Sequence, residues 1–263
     1  RHGVVKAILL RVDLDLMIEV NRVRIVLVEH DLGLERSIVQ DIETAAKIVF
    51  CDEEEAYIVY VNLYHDDESL FRKLSLKALE HGVTTLGRGM LAYHEAWTGI
   101  PNIHLPVKEL QELDPLTRKG VLEHEMTHAR LHGSLQYYTR PPYPIDDDLL
   151  LYVIYCSIKD YEVGSFLRAR GIIEEQVRYI NYVLESLDDS DYYSAIKLSG
   201  LALPYHDLLS LKLLKRLGRA LGHDIAAIRR KYEEVEDLNF YDKVYVLYEF
   251  HRRQSSSHSY DLA

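Results

Sequence analysis

The chain is poor in the residues that staple or interrupt small folds. It has two cysteines, three methionines, one tryptophan and seven prolines in 263 residues. Cys51 and Cys156 make no CxxC pair, and Cys156 falls in an apolar run. A disulfide scaffold is therefore excluded, and both residues are expected as buried free thiols in a reducing, cytoplasmic compartment. No apolar run approaches the roughly 18 to 20 residues of a membrane span. No secretory leader pattern opens the sequence, although it begins with Arg1 rather than Met. A basic surface is also missing. The net charge of −11 argues against nucleic acid or an anionic membrane as the main partner. Amides are scarce too, with five Asn and five Gln against 28% charged residues, a bias of heat-adapted proteins.

What is present supports a substantial core, with 48% hydrophobic composition over a length that suits one large domain or two intimate halves. Residues 4–20 mix apolar and charged positions and fit either a strand or a helix. Residues 22–29 alternate and predict a strand, as does the β-branched and aromatic run 57–63. Helices are expected at 34–50 and 66–81, on periods of three and four. Residues 82–99 hold four glycines and predict a loop or bent strand. Residues 100–107 (IPNIHLPV) look extended, and their two prolines favour an edge strand, because each removes a ladder donor.

Asp114-Pro115 is a helix start, an N-cap acceptor followed by proline in the first turn, and Gly133 is a stop. The helix so defined, 115–132, carries His124-Glu125-Met126-Thr127-His128. Downstream, 137–144 (YYTRPPYP) must be a loop, and only helical patterns follow: 149–170, 172–187, 191–199, 205–221, 223–236 and 240–253. The expected fold class is α+β. A mixed α/β half over 1–135 carries the edge strand and the HExxH helix. A helical half over 136–255 supplies a further metal ligand, and 256–263 is a flexible tail.

With thirteen histidines in the chain, HExxH is expected by chance about 0.05 times. Its neighbours Val121, Leu122, Met126, Thr127 and Ala129 are uncharged, as a buried metal helix requires, with Arg130 the exception. On a helix, His124 and His128 lie one turn apart on one face and can both reach a Zn2+ ion, while Glu125 is placed to take a proton from a bound water. A tetrahedral catalytic site needs a third protein ligand. His132 is a poor candidate: eight residues along a helix is about 12 Å, against metal–ligand distances of about 2 Å. It is better placed against the last helix carbonyls or behind a ligand. Glu162 is the better candidate, a carboxylate on the apolar stripe Leu151, Ile154, Tyr155, Ile158, Phe166, where burial demands a cation. That cation is either a metal or an arginine such as Arg168 or Arg178. Asp160 points elsewhere and is expected to orient a ligand histidine. Asp146, Asp147 and Asp148 are explained by helix capping. His94-Glu95 looks like a second copy of the motif, but Thr98 stands where its partner histidine would be.

On HExxH and a later helical glutamate, the chain resembles the gluzincin group of zinc metallopeptidases over about 60 residues, 102–166. The mapping is His124, Glu125 and His128, with Glu162 34 residues after the second histidine. The group often has an aspartate four residues beyond that glutamate; here Phe166 stands there. The resemblance implies a zincin-like fold of a separate, archaeal family. It also implies that Asn102, Ile103, His104 and Leu105 form the edge strand that receives a peptide. The implied activity is hydrolysis of a peptide or protein substrate, with Glu125 as general base. His206 or a tyrosine of the 137–143 loop is expected to stabilise the oxyanion. The rival expectations are a binding or scaffold protein with a structural or vestigial metal, and hydrolysis of a non-peptide amide. The intact Glu125 favours the enzyme.

Overall fold

The computed structural model describes residues 16–30, 36–81 and 91–258. The undescribed parts of the 4–20, 82–99 and 256–263 expectations lie outside these. The chain divides into two units, 1–138 with 174–179, and 139–173 with 180–263. The α+β expectation holds: a five-stranded mixed sheet occupies the N-terminal half, and helices dominate the C-terminal half.

In the first unit, strands β1 (Leu16–Val20) and β2 (Val23–His30) form a hairpin. Asn21 takes the left-handed conformation (φ 53°) that a two-residue hairpin turn needs. Its amide donates to the Phe50 carbonyl at 2.7 Å. Helix α1 (Arg36–Val49) leads to β3 (Tyr57–Tyr64), which pairs parallel with β2. β2 alternates buried Val23, Ile25 and Leu27 with outward residues, whereas β3, inside the sheet, is buried along most of its second half. Helix α2 (Asp67–Glu80) is capped by Asp66, whose side chain accepts from the Ser69 N–H. It packs Leu70, Leu74 and Ala78 against Tyr64 and Trp97.

Strands β4 (Tyr93–Glu95) and β5 (Asn102–Pro106) complete the order β1-β2-β3-β5-β4. This corrects the edge-strand expectation. Asn102, Ile103 and His104 pair with β3 on one side and β4 on the other, Leu105 pairs with Leu63 of β3, and all four are buried. The prolines misled because they sit outside the ladder's demands. Pro101 precedes the strand, where its carbonyl accepts from Tyr60 at 3.0 Å, and Pro106 ends it. Among the described residues the edge strands are β1 and, beside β5, β4. A short helix, α3 (Val107–Glu112), follows where no separate element was expected.

Helix α4 spans Pro115–His132, the bounds read from its caps, and Asp114 accepts from the N–H groups of Leu116 and Thr117. Every residue from Gly120 to Ala129 is buried. α4 packs on α1, where Arg118 meets Asp41 at 2.8 Å. Arg130, the charge in an otherwise uncharged stretch, donates to the Val49 carbonyl at the end of α1 and pairs with Asp52 and Glu53. Gly120 is required by the first turn of α6 (Glu174–Glu185): a Cβ there would lie 2.4 Å from the Glu175 carbonyl oxygen.

The second unit is helical. It contains α5 (Asp148–Ala169), the later part of α6, α7 (Tyr192–Ala202), α8 (Leu211–Leu221), α9 (Ile225–Val235) and α10 (Phe240–His258). α10 includes 256–258, part of the expected tail. The helix expected at 205–221 starts only at 211, where Ser210 accepts from the Leu213 N–H. α5 and α7 meet closely because Gly200 has no side chain; a Cβ there would lie 1.9 Å from the Ser157 carbonyl oxygen. Cys51 is exposed and Cys156 half-buried, so the expectation of two buried thiols fails. No described helix is long and apolar enough to cross a membrane.

Candidate metal centre

The last turns of α4 put His124 and His128 on one face, with Nε2 atoms 3.0 Å apart. Two nitrogens bound tetrahedrally to one zinc at about 2.05 Å would be about 3.3 Å apart, so the pair is close to ligating geometry without rearrangement. Both rings are buried, at 2% and 7% exposure, and Glu125 beside them is 7% exposed. Tyr179, from the part of α6 that belongs to the first unit, packs edge-on against His124 at 5.5 Å.

His132 sits behind the pair. Its Nδ1 is 3.2 Å from Nδ1 of His128, on the far side of that ring from the Nε2 pair. With His128 Nδ1–H donating to His132, the His128 lone pair is directed at Nε2, where a metal would be. Tyr137 packs edge-on against the His132 ring at 4.9 Å.

Two further residues belong to this group. His94, from β4, stacks parallel to His128 with ring centroids 5.8 Å apart and 8° between planes. Its Nδ1 is 2.8 Å from the Tyr138 hydroxyl. Sequence proximity does not bring His94 to α4; it arrives there through the pairing of β4 with β5. Its one local signal was the His-Glu dipeptide, set aside for want of a second histidine.

The dipeptide divides across the strand, since neighbouring side chains point to opposite faces. Glu95 faces α2, fully buried. Its Oε1 accepts from Lys77 at 2.6 Å and approaches His104 Nε2 at 3.3 Å, and its Oε2 accepts from the Trp97 N–H at 2.9 Å. Burial alone would raise the Glu95 pKa, but the hydrogen bonds from His104 and Lys77 outweigh it and hold the carboxyl below its ordinary range. Burial pushes the His104 pKa down, against the pull of Glu95. His104 Nδ1 meets the Tyr64 hydroxyl at 2.9 Å, which extends the network into β3. These contacts use His104 inside the sheet rather than on a substrate-facing edge.

Glu123, just before the motif, is fully buried, and burial pushes its pKa up to about 7 despite Lys119. The Lys119 ammonium is 3.6 Å from it and closer to Glu175. Gln176 donates to the Gly120 carbonyl at 2.9 Å, tying α6 to the turn of α4 that precedes Glu123.

The remaining expected residues lie in the second unit. Glu162 has its cation: Lys243 of α10 meets its carboxylate at 2.6 Å. The carboxylate on the apolar stripe is thus explained by an ion pair, from a lysine rather than the arginines considered, and Glu162 loses its first place as metal ligand. Asp160 is half-buried, and after burial itself it contributes to pushing the Tyr232 hydroxyl up to about 12. His206 uses both ring nitrogens locally. Nδ1 lies 2.9 Å from the Leu203 carbonyl, to which it donates, and Nε2 accepts from Arg229. That leaves it poorly suited to stabilise an oxyanion. Asp207 beside it is clamped by Arg168 through two hydrogen bonds.

No protein-family model, curated protein or solved structure matches this chain.

Proposed function

We propose that the protein is a zinc-dependent metallopeptidase whose metal is held by His124 and His128. The observation that carries this reading is the opposed Nε2 pair, 3.0 Å apart on a buried helix face, backed by His132 and followed directly by Glu125. A catalytic zinc needs a third protein ligand, and the sequence offers the carboxylates of the 149–170 helix, Asp160 and Glu162, for that place. Glu162 is the weaker choice because Lys243 already balances its charge. Two histidines and one carboxylate suit zinc and leave a position for water.

Bound there, zinc would supply an acidified water and a Lewis acid for the scissile carbonyl. Glu125 takes the water proton and returns it to the leaving amine. His132 fixes the tautomer of His128 and raises its basicity. The rival reading, a scaffold protein with a structural metal, has no use for Glu125.

Glu125→Gln separates the two. We expect the variant to retain zinc and its thermal transition while losing at least 10²-fold in kcat on an unfolded protein substrate. Undiminished hydrolysis by the variant would remove Glu125 from the chemistry.

A further inference from the structure

We propose that His94 is a further catalytic residue, an imidazole N–H donor to the oxygen held at the metal centre, with Tyr138 setting its tautomer. This rests on the metal reading above but goes beyond it, since nothing in the HExxH pattern calls for a histidine on the strand beside the helix. Three observations carry it.

The first is position: the His94 ring, on β4, lies parallel to that of His128, with centroids 5.8 Å apart. The second is the Tyr138 hydroxyl, 2.8 Å from Nδ1. A phenol donating to Nδ1 places the ring's own proton on Nε2, which makes His94 a neutral donor. The third is rigidity. β4 is a three-residue strand, paired on one side among the described residues, and alone it would hold nothing firmly. Glu95 locks it from the opposite face with three contacts, to Lys77, His104 and the Trp97 N–H. A donor on a fixed element, buried beside the place where negative charge develops, is the arrangement that stabilises an oxyanion. It also fills the role to which His206, with both ring nitrogens in use, is poorly suited.

The test uses full-length protein loaded with Co(II) in place of zinc, so that the metal-bound water can be followed by visible absorption without any turnover. His94→Phe keeps a flat ring against His128 and removes both nitrogens; Tyr138→Phe removes only the hydroxyl. We expect all three proteins to take up one equivalent of cobalt. The pH midpoint of the absorption change should rise by about one unit in His94→Phe, because a donated hydrogen bond favours the ionised water. Tyr138→Phe should shift it by less in the same direction. On the zinc form, kcat should fall about 10²-fold in His94→Phe with KM within about threefold.

An unchanged midpoint in both variants overturns the inference while leaving the metal reading intact. Loss of cobalt from His94→Phe overturns it too, by making His94 a ligand. A wild-type protein that takes up no cobalt removes the metal reading itself, and shows as an absent spectrum rather than a difference between variants. If His94→Phe does not fold, the shift in Tyr138→Phe alone decides.

Discussion

His251 in α10 offers a test of the helical unit's energetics, separate from the metal centre. It is 0% exposed, and its pKa is held at about 3 against an ordinary 6.5, first by burial and then by the nearby charge of His223. Its Nδ1 meets the Tyr192 hydroxyl at 3.1 Å. Because the folded value is depressed, the unfolded chain binds the extra proton in the window between 6.5 and 3. Stability is therefore unaffected by His251 above that window and is lost as pH falls through it. Between pH 7.5 and pH 5.0 the unfolded state gains about 1.5 pK units of protonation that the folded state refuses, which is about 2 kcal/mol. The perturbation is His251→Leu, which removes the titration. The Tyr192 hydroxyl keeps the backbone carbonyl of residue 251 as acceptor, at 3.2 Å. Urea unfolding of metal-free protein, followed by circular dichroism at the two pH values, gives the comparison. The wild type should lose about 2 kcal/mol more than the variant on acidification. Equal losses would refute the argument that burial keeps this imidazole neutral.

Other expectations follow from close contacts and charge. Gly200→Ala drives a methyl into the Ser157 carbonyl and should destabilise the helical unit by about 3 kcal/mol. Gly171→Ala meets nothing within 4 Å and suffers only from its φ of 77°, costing about 1 kcal/mol. Thermal melts of both variants rank them. Asp160→Ala should raise the zinc dissociation constant by at least 10²-fold, whereas Glu162→Ala should change it by less than about threefold. Competition with a chelator measures both, and the reverse ranking would return the third position to Glu162.

How far the sequence led depended on whether the deciding forces were local. α4 was legible to the residue because its signals are adjacent: Asp114 caps, Pro115 opens, Gly133 stops. The sharing of one face by His124 and His128 follows from helix geometry alone, whereas that geometry leaves His132 two places, against the last helix carbonyls or behind a ligand. What failed needed partners far along the chain. Glu162 was correctly read as needing a cation, but Lys243 stands 81 residues away. The 102–105 stretch was read as an edge because its prolines are visible, whereas β4, the strand that covers it, is three residues long and carries no alternating pattern. His94 has no partner histidine among its neighbours in sequence, and its companions His128 and Tyr138 meet it only in space. The helix expected from 205 begins at 211 because periodicity does not register the cap at Ser210.

The central claim is that His124 and His128 hold a metal, and zinc stoichiometry tests it most directly. Protein purified without chelators should carry one zinc per chain by elemental analysis, and His128→Ala should carry less than about a tenth of that. Wild-type protein with no zinc, or a His128→Ala variant that keeps its full equivalent, would contradict the account.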